Sequence, residues 1–449
     1  MHKYIFIFFC ICNIYTQVQV DPLYSNYYRP GMWWPVRFIA KNKTPLKVSV
    51  GNFNIDFPQA KTQHIGYSLV DKPLLYIKAA QTKKHISLRA LQKTQQLVGI
   101  YTDTHFIAPP SHKNFHYVRL KWLPDLWEGL TPLNCLFVNC ELTSTQQQMV
   151  KKWVAAGGYL FVKANFMPEI NSTLQNTAKY GLGQIHFLRE FSPSHIKNFT
   201  QKSNHFIAKA QSLKTIPTFS LQLWSNNFYL YIVLFCSLHI VVIFLLKRVK
   251  KNMLFMSILT ILNTLVITFW LSKYHLVHYH VTQLRECTSN NPNVFTTTVH
   301  SFMSPKNIEL QQKFTQLPMP LLVKHPQFLT RKDNSWFITI TNTRHYVCQT
   351  FHVEEYIGSV AYDQSKFIND SEKDWLNLYF RDQDNNVFLG DCLSGNSVVL
   401  SQGKQAKQHD FPTLLLGDRV IYSLHKKNAQ TMSHFAFFEE YEIHYINVD

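Results

Sequence analysis

The chain has 449 residues, with 45 Lys and Arg against 27 Asp and Glu, a formal net charge of +18 and 46% hydrophobic residues. At roughly 150 residues per domain, this length excludes a single small module and predicts about two to four domains. The 34 Phe, 22 Tyr and 9 Trp supply enough apolar surface to exclude an intrinsically disordered chain.

The first twenty residues combine a basic start with a short apolar stretch. Lys3 precedes the apolar run 4–12, and Val18 and Val20 form a cleavage pattern before Asp21. This layout predicts a secretory signal peptide over residues 1–20 and export of the region that follows. An uncleaved anchor is the alternative interpretation, because Val18 and Val20 depart from the small residues that signal peptidases prefer.

Short apolar segments alternate with turn residues between residues 21 and 115. Segments 33–39 and 46–50 flank a turn signal at 42–45, and further strand-like segments follow up to residue 101. This spacing predicts an antiparallel β-sandwich. The region carries 13 Lys and Arg against 4 Asp and Glu. These cations are either a solvated face or a site for an acidic partner.

The pattern changes in residues 116–220, which we predict to form an α/β domain. Ser144 and Gln147 have the spacing of a capping box, and a buried strand on each side of the helix makes a βαβ unit. The supporting residues are the apolar runs 136–138 and 159–162, the helix positions Val150, Trp153 and Val154, and the helix-ending pair Gly157 and Gly158.

This region also carries a set of residues that points to a family. The residues are Leu123, Pro124, Trp127, the run 136–138, Gln146, Trp153, Val154, Gly157, Gly158, Leu160 and the segment 180–185. With them the chain resembles bacterial membrane-anchored envelope proteins that contain a signal peptide, a β-sandwich, a degenerate class I glutamine-amidotransferase-like domain and transmembrane helices. The resemblance implies a flavodoxin-like fold for residues 116–220, and it implies an architecture more than a reaction.

The residues needed for amidotransferase chemistry are incomplete. Such enzymes use a Cys nucleophile on a glycine-flanked elbow, with a His and a Glu that activate it. Cys140 lies between Asn139 and Glu141, and His186 and Glu190 do not form a His-x-Glu pair. We therefore interpret the domain as non-catalytic and Cys140 as a small structural residue. A cryptic Cys-dependent hydrolase or amidotransferase that uses Cys140 is the alternative.

Two long apolar stretches occupy residues 226–246 and 253–272, and neither contains a charged residue. Each is long enough to cross a hydrocarbon core about 30 Å thick. The intervening loop 247–252 is predicted to face the cytoplasm, because cations favour that side. Its cations are Lys247, Arg248, Lys250 and Lys251. The pattern predicts a two-helix transmembrane hairpin with both flanks exported, and a hairpin buried in a soluble core is the alternative.

Residues 273–449 are predicted to form a β-rich exported domain, in which Pro305 starts a helix over 308–314. His275, His278 and His280 are weak metal candidates, because zinc requires three or four ligands and no Cys or acidic residue has suitable spacing. We expect no metal and no cofactor. Further along this domain, Cys348 and Cys392 could form a disulfide in an oxidising compartment, in which case Cys287 would have no cysteine partner in this domain.

Together these features predict a non-enzymatic integral protein of the bacterial inner membrane. Its exported regions would bind other envelope proteins or an acidic envelope component. Residues 273–449 carry 16 Lys and Arg against 18 Asp and Glu, so the excess charge lies in the exported region before the spans and in the cytoplasmic loop. Nucleic acid is not an expected partner, because this topology leaves no cytoplasmic domain to meet DNA or RNA. A two-span subunit of a transport or signalling complex, contacted through His239 or the loop cations, is a further alternative.

Overall fold

The computed structural model describes residues 18–103, 114–165, 176–189, 278–320, 327–406, 419–427 and 437–448, except positions 52, 71, 80–81, 93, 164, 333–334, 364 and 384. Strands dominate this part of the chain. They form one sheet of 15 strands, one of six, one of three and one of two.

The elements follow one another in three groups. The first group is β1 (Val18–Pro22), β2 (Tyr27–Tyr28), β3 (Trp33–Val50), β4 (Phe53–Leu69), β5 (Leu74–Ala79), β6 (Thr82–Ser87), β7 (Arg89–Ala90), β8 (Gln96–Thr102) and β9 (Phe115–Leu120). The second is a 3-10 turn (Trp127–Leu130), β10 (Cys135–Asn139), α1 (Ser144–Ala155), β11 (Tyr159–Lys163), β12 (Thr177–Tyr180) and β13 (Gly183–Leu188).

The third group begins after residue 277. It comprises β14 (His278–Thr288), β15 (Asn291–Phe314), β16 (Met319–Pro320), β17 (Gln327–Lys332), β18 (Ser335–Glu355), β19 (Val360–Asp363), β20 (Lys366–Asn369), β21 (Trp375–Asp382), β22 (Asn385–Cys392), β23 (Asn396–Val399), a 3-10 turn (Leu400–Gln402), β24 (Lys404–Gln405), β25 (Arg419–Lys427) and β26 (Phe437–Asn447).

Strands from both ends of the chain share the large sheet. Its order is β24-β22-β21-β25-β26-β14-β15-β18-β17-β4-β3-β5-β6, with β1 attached to β3 and β16 to β18. The two chain regions meet where β17 pairs with β4 in parallel, which aligns Gln327 with Phe53 and Thr330 with Asp56. The expected fold class, with a separate N-terminal sandwich and C-terminal exported domain, is therefore wrong. Polar–apolar alternation predicts that a strand exists, but not which distant strand it joins.

The transmembrane part of that fold class is corrected as well. Where the structure describes the chain, α1 is the one α-helix, and no helix there combines the length and the apolar character needed to cross a membrane. The predicted spans 226–246 and 253–272, and the loop 247–252 with Lys247, Arg248, Lys250 and Lys251, lie outside the described residues. The described part of the protein is instead built mainly from strands.

The N-terminal strand β1 includes the expected end of the signal peptide. Val18 and Val20 are buried, and β1 pairs with β3 in an antiparallel register that aligns Val18 with Ala40. An ion pair of 2.6 Å joins Arg37 to Asp21. Cleavage before Asp21 would therefore remove two core residues from the large sheet, whereas residues 1–17 lie outside the described part.

The six-stranded sheet has the order β12-β13-β11-β10-β8-β9, and its neighbours run parallel except for β12 and β13. Thr143 caps α1: its side chain accepts from the Gln146 N–H at 3.3 Å, while the Gln146 side chain accepts from the Thr143 N–H at 3.0 Å. This capping box begins one residue before the predicted Ser144 box, because Thr143 and Gln146 have the same spacing. A Cβ on Gly183 would lie 2.1 Å from the Val154 carbonyl oxygen, so only glycine lets β13 approach α1 this closely.

A buried segment, residues 122–134, joins the six-stranded sheet to the large one. The Trp127 indole meets Phe295 and Phe351 of the large sheet edge-on, with ring centroids 6.3 Å away in each case. The buried Arg29 guanidinium donates to Asn134 Oδ1 at 2.8 Å and to the Gln95 carbonyl at 3.0 Å. One hydrophobic cluster runs through both sheets. The core of the six-stranded sheet therefore continues into the large sheet, while residues 190–220 of the predicted α/β domain lie outside the described part of the chain.

Two prolines, one from a predicted turn and one from a predicted helix start, lie inside long strands. Pro45, from the predicted turn 42–45, belongs to β3 where its register with β4 shifts between Ile39 and Leu46. Pro305, the predicted helix start, belongs to β15 where its register with β18 shifts between Met303 and Ile308. Proline has no N–H for a ladder hydrogen bond, so it is tolerated in a sheet at such irregularities. Both local predictions were wrong for this reason.

Candidate functional site

The carboxyl ends of β8 and β10 meet at one edge of the six-stranded sheet. Across the sheet, the parallel strands lie in the order β9, β8, β10, β11, β13. The chain places β9 on one side of β8 and the later strands on the other side, so the direction of strand addition reverses between β8 and β10. Ligands of open α/β sheets bind at such a switch point. Cys140 follows β10 at this edge, with its Sγ 3.9 Å from the Tyr101 carbonyl oxygen and with Asp103 nearby.

The electrostatics at Cys140 do not favour a nucleophile. Burial and the Asp103 carboxylate raise the pKa of the Cys140 thiol, although a backbone hydrogen bond from Asp103 opposes this. A reactive cysteine needs the opposite shift, because the thiolate is the nucleophile. His186 lies on β13, stacked on Phe161 of β11 at 4.5 Å, so β11 separates its strand from β10. Glu190 lies outside the described residues.

We expect Cys140 to react with iodoacetamide at pH 7 more slowly than free cysteine does, with a rate that rises up to pH 9. Its raised pKa keeps the thiolate fraction small. Mass spectrometry of the alkylated chain would follow the site, and the Cys140→Ser variant would identify its signal. Rapid labelling of this site alone at pH 7 would contradict the expectation and favour the cryptic-enzyme alternative.

The histidines proposed as metal candidates are only partly within the described structure. His275 lies outside it, while His278 and His280 occupy β14 two positions apart. Among the residues that the structure describes, no group of three or more His, Cys, Asp or Glu side chains is arranged to hold a metal ion. These histidines therefore give no basis for a metal centre here.

The two cysteines predicted to pair, Cys348 and Cys392, are buried and are not joined by a disulfide. Cys348 lies in the core cluster shared by the two sheets, whereas Cys392 lies with Cys287 in a second cluster near β21. Burial raises the pKa of Cys392 to about 11. The structure does not bring Cys348 and Cys392 together as a pair.

Glu128 is a buried carboxylate in the segment that joins the sheets. Burial raises its pKa to about 7, and the nearby Asp125 carboxylate adds to the rise, while backbone N–H groups of Glu128 and Leu317, together with Lys152, oppose it. Its Oε2 atom has no hydrogen-bond partner among the described residues. Asp125 itself accepts from the Tyr67 hydroxyl at 2.5 Å and pairs with Arg331. The Glu128 carboxylate can therefore change its charge close to neutral pH.

An exposed basic surface lies at the β6 end of the large sheet, and we call it the basic face. Strand β5 alternates strictly, so that Leu75, Ile77 and Ala79 are buried and the residues between them are exposed. The basic face consists of Lys47 of β3, Leu74, Tyr76 and Lys78 of β5, and Lys83 of β6. The alternation therefore turns two apolar side chains and three cations toward solvent on neighbouring strands.

Two lysines of the basic face are directly opposite each other. Lys78 pairs with Lys83 in the antiparallel register of β5 and β6, and Ser49 of β3 pairs with Lys78 on its other side. Like charges at directly paired positions destabilise a sheet. Lys47 is 3.8 Å from Asp56, but its side chain is 85% exposed, so this surface ion pair leaves the ammonium accessible.

A shallow groove of about 470 Å3 adjoins these lysines. Its polar lining consists of Lys47, Ser49, Asn54, Asp56, Lys78 and Thr330. The Ser49 hydroxyl donates to Asn54 Oδ1 at 2.7 Å, which leaves the Asn54 amide group available as a donor. Beside the groove, the Tyr76 ring contacts the His85 ring in a tilted arrangement, with a centroid distance of 4.9 Å. The arrangement combines cations, the Asn54 amide donor and an aromatic ring, which are groups that bind carboxylates and neighbouring apolar surface.

Comparison with known proteins assigns no family to this chain. No protein-family model matches it, and no curated protein matches it. Among solved structures, it is similar to a yeast delta-COP-I mu-homology domain complexed with a Dsl1 WxWxV peptide, at 7% identity and a TM-score of 0.19, over 38% of this chain and 95% of that one. This likeness is too weak to indicate a shared fold.

The basic face was only partly foreseeable. The excess of cations in residues 21–115 indicated either a solvated face or a site for an acidic partner, but it did not locate the basic face. The pairing of Lys78 with Lys83 depends on the turn between β5 and β6, which has no strong hairpin signal in the sequence. Glu128 had no sequence signal, since an isolated acidic residue between apolar residues resembles any exposed loop position.

Proposed function

We propose that this protein is a non-enzymatic interaction protein that binds an acidic polypeptide through its basic face. The observation that carries this proposal is the direct pairing of Lys78 with Lys83 on an exposed sheet face. In the free protein this pairing is unfavourable, and a carboxylate placed between the two ammonium groups would relieve the repulsion. Binding of a carboxylate is therefore favoured by relief of the repulsion between Lys78 and Lys83, which destabilises the free protein.

The neighbouring side chains favour a polypeptide over a small anion. Leu74 is 60% exposed and Tyr76 is 37% exposed, so both offer apolar surface beside the lysines. A protein partner can bury this apolar surface while its carboxylates meet the cations, and tyrosine is enriched in such interfaces. The charge excess of residues 21–115 also attracts an acidic partner during encounter.

The surroundings of Cys140 support a binding role over a catalytic one. A hydrolase or amidotransferase would need an activated thiol, and the pKa of Cys140 is raised by burial and Asp103. The edge of the six-stranded sheet at Cys140 thus has the position of an active site in an open α/β sheet without the matching electrostatics.

Export to the bacterial cell envelope is a part of the proposal that rests on the sequence alone. The basic, apolar start of the chain is typical of exported proteins. An exported basic face would meet acidic envelope proteins and not nucleic acid. Fractionation of cells that express the full chain with a C-terminal tag would check this part separately from binding.

The proposal is tested by binding of a fluorescent oligoglutamate peptide to the full-length chain. We expect Lys78→Glu/Lys83→Glu to weaken binding by about tenfold or more, because each substitution replaces attraction with repulsion. The matched control is Lys121→Glu/Lys404→Glu, which makes the same charge change at exposed lysines elsewhere. We expect the control to retain most of the affinity. Fluorescence anisotropy would measure both variants at low and at high salt.

Equal weakening in both variants would mean that net charge, and not the basic face, attracts the peptide. Unchanged binding in the Lys78/Lys83 variant would overturn the proposal outright. Binding of the wild type to anionic lipid vesicles through Lys78 and Lys83, without binding of oligoglutamate, would replace the acidic polypeptide with a membrane surface.

A further inference from the structure

A second charged surface lies at the turns around β20 and β22, and we call it the acidic tip. Three turns, residues 355–358, 369–374 and 391–395, meet there. The Ile357 carbonyl accepts from the Glu372 N–H at 2.9 Å, and Asp374 Oδ1 accepts from the Ser394 N–H at 2.9 Å. Its exposed acidic residues are Glu355, Asp370, Glu372, Asp374 and Asp391. Within these fully described turns Lys373 is the one exposed cation.

The acidic tip is held in one conformation by a buried amide. The Asn369 Nδ2 group donates to the Lys373 carbonyl at 2.8 Å and to the Cys392 carbonyl at 3.0 Å. Its Oδ1 accepts from the Ser371 hydroxyl at 2.6 Å and from the Ser371 N–H at 3.2 Å. These bonds tie the second turn to the third. A surface that is already ordered loses less conformational entropy on binding.

Exposed apolar side chains mark the same two surfaces. The large hydrophobic residues exposed in the described part of the chain are Leu74, Tyr76, Ile357 and Leu393. Leu74 and Tyr76 belong to the basic face, whereas Ile357, 77% exposed, and Leu393, 47% exposed, belong to the acidic tip. Each surface therefore combines two apolar side chains with a charge of one sign, and the two signs are opposite.

We infer that the acidic polypeptide bound by the basic face is the acidic tip of a second copy of this chain. This inference rests on the proposed function and names its partner. Carboxylates of the tip would meet Lys78, Lys83 and Lys47, while Ile357 and Leu393 would cover Leu74 and Tyr76. The combination provides both charge complementarity and burial of apolar surface.

The geometry of this contact is head-to-tail. In the large sheet β5 and β6 lie at one end of the strand order, and β21 and β22, which flank the acidic tip, lie toward the other end. Two different patches of the same chain would then meet, which is a heterologous contact, and repetition of it forms rings or open chains. Each added copy leaves one basic face and one acidic tip available until a ring closes.

Sedimentation velocity on the full-length chain tests the inference. We expect oligomers that grow with concentration at low salt and dissociate near 0.5 M salt, where the Debye length falls to about 4 Å. Lys78→Glu/Lys83→Glu should abolish the oligomers because the face then repels the tip. Asp370→Lys/Glu372→Lys should abolish them for the converse reason. Lys121→Glu/Lys404→Glu is the control that should retain them.

Mixing the two charge-reversed variants is the decisive measurement. The acidic face of one variant then fits the basic tip of the other, and their unaltered surfaces also fit, so we expect mixed oligomers although each variant alone is monomeric. Restored association also shows that both variants are folded. No association in the mixture, or a wild type that stays monomeric at low salt, would overturn the inference. If Lys78 and Lys83 still governed oligoglutamate binding, the proposed function would stand with a different acidic partner.

Discussion

Replacing Trp127 with alanine is expected to lower the free energy of unfolding by about 4 kcal/mol, the range found for large aromatic residues truncated in a core. Trp127 is 6% exposed and lies in the segment that joins the two sheets. Its indole meets Phe295 of β15 and Phe351 of β18 edge-on. Alanine would leave a cavity at the contact between the sheets, so urea denaturation of the purified chain should show the loss.

A double-mutant cycle separates this contact from general loss of core volume. Trp127→Ala and Phe351→Leu should couple by about 1 kcal/mol, because their rings touch. The control is Phe53→Leu, in a ring that packs against Trp33 within the large sheet. Its effect should add to that of Trp127→Ala within about 0.5 kcal/mol. A loss below about 1 kcal/mol for Trp127→Ala would mean that the two sheets do not depend on this residue.

Trp127 also illustrates how far sequence patterns reach in this protein. Local signals predict α1 and the strands on each side of it, because capping residues, a helix-ending glycine and unbroken apolar runs all act over a few positions. The role of residues 122–134 was not predictable in this way. Their apolar composition resembles a loop with a strand start, and their contacts with Arg29, Phe295 and Phe351 come from distant parts of the chain.

The error in the fold class has the same origin. The pairing of β17 with β4 joins residues more than 250 positions apart along the chain, and neither strand carries a mark of its partner. The site shows the same limit, since the excess of cations in residues 21–115 could be counted from the sequence while the pairing of Lys78 with Lys83 could not be predicted. The candidate residues chosen for their chemistry, Cys140 and the histidines, were selected by residue type, and residue type does not reveal burial or charge environment.

The Glu128→Gln variant is expected to gain stability relative to the wild type as the pH rises. The pKa of Glu128 is raised to about 7 in the folded protein, mainly by burial, whereas an unfolded chain would ionise it near pH 4.5. The folded state therefore holds the proton more tightly, so the stabilisation from this group is complete below about pH 4.5 and is lost as the pH rises through 7. Glutamine cannot ionise, so the variant lacks this loss.

Urea denaturation of the wild type and Glu128→Gln at pH 4.5 and at pH 8 would measure the effect. We expect the difference in unfolding free energy between the two proteins to shift by about 3 kcal/mol in favour of the variant, since each pKa unit corresponds to about 1.4 kcal/mol. Comparing two pH values removes any constant cost of placing an amide at this buried position. The matched control is Glu141→Gln, which makes the same substitution at an exposed residue. A difference that stays constant with pH would show that Glu128 ionises at the same pH in both states. A shift of the expected size would show that the joint between the sheets, where Asp125 also meets Tyr67 and Arg331, is weakened by raising the pH through neutrality.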